Sequence, residues 1–109
     1  MMKSKNNSHT ESKLHTAISQ IIAFEVENNL ANKATVTSVN LSSDGSILKV
    51  YVSFMESKEK SLISLKNASG FIRSQIAKLQ STRRTPHLEF YLDSDLDKIS
   101  KIEEIISDL

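Results

Sequence analysis

Over residues 12–29 the apolar positions Leu14, Ala17, Ile18, Ile21, Ile22 and Val26 form one stripe of helical period, which predicts a first helix. The Asn28-Asn29 pair then favours a turn, with Leu30 expected to anchor it. Beyond it the pattern changes. Residues 35–42 are rich in β-branched side chains, and residues 47–54 alternate, with Leu48, Val50, Val52 and Phe54 on one face and Lys49, Tyr51 and Ser53 on the other. Asp44-Gly45 lies between the two runs, and glycine tolerates the positive φ that a tight turn demands, so an antiparallel hairpin is predicted. Helical spacing returns over residues 62–86, with Leu62, Leu65, Ile72, Ile76 and Leu79 as the buried stripe. Gly70 interrupts that stripe. A mid-helix glycine costs about 1 kcal/mol relative to alanine, so a kink between two helices is expected there. After Pro86, Leu88, Phe90 and Leu92 alternate with His87, Glu89 and Tyr91, which predicts a third strand. A final helix is expected from near Ser94, with Asp97 three positions on, burying Leu96, Ile99, Ile102, Ile106 and Leu109. The order helix, strand, strand, kinked helix, strand, helix gives an α+β fold, a three-stranded sheet with helices on one face.

At 109 residues the chain fits one domain with a sizeable core. Residues 1–10 hold nothing to bury, so residues 1–11 are expected to form a flexible tail ahead of a folded unit at 12–109. No apolar run reaches bilayer length, the N-terminus lacks a signal-type apolar stretch, and there is no cysteine. A soluble, cytoplasmic protein is expected.

The net charge of +1 conceals a strong asymmetry. Residues 58–84 carry seven Lys or Arg against one Glu, a net +6, whereas residues 85–109 carry two Lys against seven acids, a net −5. A basic central helical region of this kind suits a polyanion, although an ordinary solvated helix face looks the same in composition.

Catalysis finds little support. His9, His15 and His87 fall in a tail, a helix and a strand, and neither a nucleophile motif nor a phosphate-cradling glycine loop is present. Asp93, Asp95, Asp97 and Glu104 match positions 1, 3, 5 and 12 of a calcium loop, but Lys98 occupies the position that requires glycine. No enzyme activity, metal or cofactor is expected.

The run from Asn67 to Ser74 (N-A-S-G-F-I-R-S) and the run from Arg83 to Asp93 (R-R-T-P-H-L-E-F-Y-L-D) closely resemble ribosome-binding factor A, a bacterial factor for small-subunit maturation. The segments T-V-T-S-V-N-L-S-S-D (from Thr35) and K-V-Y-V-S-F (from Lys49) resemble that family's hairpin strands, so the similarity runs over about residues 12–106. The resemblance implies a type II KH-like fold in which an A-x-G kink, here Ala68-Ser69-Gly70, replaces the usual G-x-x-G loop. It also implies binding to 16S rRNA in the immature 30S subunit, a role in maturing the 5′ end, and a role in growth at low temperature. Glu27-Asn28-Asn29 departs from the Asp-Pro-Arg type segment that many members carry after the first helix.

The residue chemistry agrees with an RNA contact at the kink. A glycine lets backbone approach a sugar-phosphate chain, and the start of the following helix offers N–H groups to phosphate. The expected RNA-binding set is Lys66, Ala68, Ser69, Gly70, Arg73, Lys78, Arg83 and Arg84, the cations acting by charge-assisted phosphate contacts. Gly70 also has a purely structural reading, as a tight helix packing point. The expected partners are 16S rRNA and free 30S subunits, with ribosomal proteins possible, and the protein is expected to act as a monomer. The alternatives are a protein-interaction module, or a KH-like domain acting on non-ribosomal RNA.

Overall fold

The computed structural model describes residues 5–79 and 84–94, with side chains from residue 10 onward. Helix α1 (Lys5–Phe24) leads to a 3-10 turn (Ala31–Lys33), strands β1 (Thr35–Leu41) and β2 (Ile47–Ser53), helices α2 (Lys58–Asn67) and α3 (Ser69–Leu79), and strand β3 (His87–Leu92). The predicted strands are all present. Asp93 and Ser94 are helical, and the rest of the expected last helix lies outside the described residues.

The central strand is β2, antiparallel to β1 and parallel to β3. Val36 faces Val52 and Leu41 faces Leu48 across the hairpin, with a register shift between Val36 and Ser38. Parallel pairing runs from Ile47 with His87 to Val52 with Leu92, a geometry that requires the α2–α3 crossover. The core forms where the apolar face of the sheet meets the helices. Leu14, Ile18 and Ile22 of α1, Leu65 of α2 and Ile72 and Ile76 of α3 are buried with Leu48, Val50, Val52 and Phe90.

The first helix differs from expectation at both ends. It begins at Lys5 instead of about Ser12, so the expected tail is helical over most of its length. Its early half is tied to the edge strand by polar contacts that carry no apolar signature. Glu11 Oε2 accepts the Leu41 N–H at 2.7 Å, and His15 Nε2 donates to the Val36 carbonyl at 3.1 Å. At the other end, the N–H groups of Glu25 and Val26 both bond to the Ile21 carbonyl, closing the helix at Phe24. Asn28 Oδ1 then accepts the N–H groups of Leu30 and Ala31, each at 2.9 Å, and makes the expected turn. Ala31, fully buried, anchors it, whereas Leu30 is exposed.

The sheet face opposite the helices is not uniformly solvated, as alternation alone suggested. Tyr51 is buried and stacks on Tyr91 with ring centroids 5.7 Å apart. The Tyr91 hydroxyl donates to Glu89 Oε1 at 2.8 Å, and this bond to the carboxylate, with burial, raises its pKa above the ordinary tyrosine value.

The hairpin turn is organised by one carboxylate. Gly45 takes φ +76°, and Asp44 Oδ1 accepts from Ser42 Oγ, Ser46 N and Ser46 Oγ at 2.7–3.0 Å. The bond from the Ser46 hydroxyl is the main cause that lowers the Asp44 pKa from 3.8 to about 2. A depressed folded-state value means stabilisation that is present above the unfolded pKa and lost as pH falls through the folded one. Asp44→Asn keeps the acceptor oxygen and removes the charge. Its melting temperature should lie below that of the unsubstituted protein above about pH 4, and the gap should close toward about pH 2. A gap that stays constant over that range would mean that the charge is not its source.

Candidate nucleic-acid interface

Helices α2 and α3 are separated by one residue, Ala68. It adopts φ −87° and ψ 0°, and its N–H is shared between the carbonyls of Ser64 and Leu65 at 3.1 and 3.0 Å. Its own carbonyl accepts the Ile72 N–H at 3.0 Å, so one residue ends the first helix and starts the second. The bend therefore lies at Ala68, the first residue of the expected Ala68-Ser69-Gly70 kink and two residues before the glycine. Gly70 sits inside α3 and does not have a positive φ, which among glycines only Gly45 shows. Nor is it a packing point among the described residues, since a Cβ built there meets none of them within 4 Å. What Gly70 provides is an open approach to the first turn of α3.

The expected cations divide into three groups. Lys66 in the last turn of α2, Lys78 in the last turn of α3, and Arg84 are exposed, as are Lys58 and Lys60 at the start of α2. Arg83 lies outside the described residues. Arg73, in contrast, is half-buried and committed to the fold. Its Nε donates to the Pro86 carbonyl at 3.1 Å and its Nη2 to the Thr85 carbonyl at 2.8 Å, clasping α3 to the segment that enters β3. The expectation that Arg73 projects freely is corrected on this ground: two of its donors are already satisfied by backbone.

Around the break, Lys66 and Ser69 form one wall of a shallow groove of about 260 Å³ whose other wall is Leu88–Tyr91 of β3. On the outer side of α3, Gly70, Ser74 and Ala77 are exposed at spacings of four and three residues, leaving a smooth surface next to Lys78. That small-residue spacing is readable in the sequence. Leu79, expected in the core, is 68% exposed, because it lies at the end of α3 beyond the last core contact of Ile76. Among the described residues, no group of three or more His, Cys, Asp or Glu could hold a metal ion. Asp95, Asp97 and Glu104 of the calcium-like spacing lie outside the described residues. No helix among the described residues is long and apolar enough to cross a membrane.

The family model described as "Ribosome-binding factor A" matches residues 6–106. The ribosome-binding factor A of Mycoplasmopsis agalactiae is 37% identical over 109 residues, covering 100% of this chain and 96% of the relative. The crystal structure of ribosome-binding factor A from Thermus thermophilus superposes with a TM-score of 0.72 at 34% identity, over 79% of this chain and 94% of the other. A Thermus thermophilus homology model of the same factor, fitted into a cryo-EM map of its complex with the 30S subunit, gives a TM-score of 0.67 at 34% identity, over 77% and 91%. With a matching element order, a mixed three-stranded sheet under helices, and near full-length similarity, the chain belongs to the ribosome-binding factor A family.

Proposed function

We propose that this protein is a non-catalytic ribosome-biogenesis factor that binds 16S rRNA in the immature 30S subunit. The observation that carries the reading is the run of exposed cations along the α2–α3 segment and just after it, Lys66, Lys78 and Arg84, with a helix break at Ala68 beside which Gly70 leaves room for a backbone to approach. Family membership and the placement of a relative on the 30S subunit support the choice of target. The cations neutralise phosphates, and Gly70 lets the sugar-phosphate chain come close to the first turn of α3. Ala68 and Ser69 shape that approach by setting the bend. Structured rRNA fits this arrangement better than the four-nucleotide clamp of a G-x-x-G loop, which needs a second glycine. In the cell the protein acts in the cytoplasm as a monomer. It assists late maturation, including processing of the 5′ end, and supports growth in the cold.

The test is to replace Lys66, Lys78 and Arg84 together by alanine and measure binding to immature small subunits across salt concentrations. At roughly 0.7–0.9 per phosphate, the slope of log K against log salt should flatten by about 2 to 3 units. Circular dichroism should be unchanged, because all three side chains are exposed. A folded variant with the original affinity and slope would remove the basic face from the interface. Depletion of the protein should, on the same reading, leave precursor 5′ ends on 16S rRNA and slow growth most at low temperature.

A further inference from the structure

We propose that the cleft between α1 and α3 receives an unpaired RNA base, stacked on the ring of Phe24. The proposal rests on the RNA-binding reading and adds to it a site for a base beside the sites for phosphates. Phe24 ends α1 and is 85% exposed, an unusual state for a large aromatic side chain, and Leu79 beside it is 68% exposed. Together with Gln20, Glu25, Gln75 and Lys78 they line a cleft of about 290 Å³.

The lining has the chemistry of base recognition. An exposed ring gives a stacking platform that every base can use. Gln20 and Gln75 each present an amide donor and acceptor, suited to the edge of a splayed-out base, and the Glu25 carboxylate accepts from an exocyclic amine. Lys78 belongs both to this cleft and to the exposed basic face, so a nucleotide with its base in the cleft has a cation within reach of its phosphate. Ala17, Ile21 and Leu79 add apolar lining beside the ring, but the two opposite charges among them fit the core of a subunit interface poorly, since such cores are depleted in charge.

The experiment uses the full chain and three probes: a mixed-sequence single-stranded RNA hexamer, an abasic ribose-phosphate oligomer of the same length, and inorganic polyphosphate. The hexamer should shift the NMR signals of Gln20, Phe24 and Gln75, and the two probes without bases should not. Phe24→Ala should lower hexamer affinity roughly 5- to 150-fold while leaving the salt slope unchanged, and Phe24→Trp should restore binding. Because Phe24 is exposed, both variants keep the fold, which circular dichroism verifies. Equal affinity of Phe24→Ala, or equal shifts from the abasic probe, overturns the base site. A Phe24→Ala variant that changes sedimentation but not RNA affinity reassigns the cleft to self-association and overturns it as well. Loss of subunit binding by the Lys66, Lys78 and Arg84 variant, beside unaltered hexamer binding by Phe24→Ala, would reject the cleft and leave the proposed function standing.

Discussion

Replacing Phe90 by alanine is expected to cost about 3–5 kcal/mol, a large fraction of the roughly 5–15 kcal/mol that holds a domain of this size together. Phe90 is 2% exposed at the middle of β3, paired with Val50, and belongs to the same core as Ile72 and Ile76. Its removal leaves a void between sheet and helices that close packing cannot fill by small adjustments. Ile72→Ala should follow at about 2–5 kcal/mol. Urea midpoints measured against Met55→Ala, whose side chain is fully exposed, provide the scale. A Phe90→Ala midpoint no lower than that control would contradict a core built by helices on this face of the sheet.

Arg73→Ala should also destabilise the fold, on the scale of about 1.5–3 kcal/mol for losing hydrogen bonds to a charged group, reduced because the side chain is only half-buried. The carbonyls of Thr85 and Pro86 lose their donor, and the segment entering β3 loses its tie to α3. Arg73→Lys separates the roles. Lysine keeps the charge but cannot present two planar donors to two neighbouring carbonyls, so stability should remain low while any long-range attraction to RNA is retained. Thermal melts and subunit affinities of the two variants decide the matter. Full recovery of stability by lysine would show that charge, and not the clasp, is what Arg73 contributes.

The strands were legible because period-two alternation, an Asp-Gly turn and a single proline mark them locally, and β3 falls on the predicted residues. The helix pair is legible as a break within Ala68-Ser69-Gly70, but helix propensity alone points to the glycine, which the helix tolerates. The bend is made by Ala68, whose type gives no hint of its φ and ψ. Lys66, Lys78 and Arg84 could be read from charge clustering. Arg73 could not, because its partners, Thr85 and Pro86, are brought to it only by the tertiary fold. The same limit hid the Glu11 bond to Leu41 and the Tyr51–Tyr91 stack. The exposure of Phe24 is hidden for a related reason: an aromatic residue at a helix end gives no sign of whether a neighbour will cover it.

Gly70 has a consequence in terms of selection. Alanine at this place would meet no neighbour among the described residues, would suit the helical backbone, and would be favoured by up to about 1 kcal/mol of helix propensity. Folding therefore exerts no pressure to keep glycine there and a mild pressure to lose it. Position 70 is thus a separation-of-function site, at which the described part of the fold imposes no requirement for glycine. Gly70→Ala there tests how near a partner approaches while the fold stays constant.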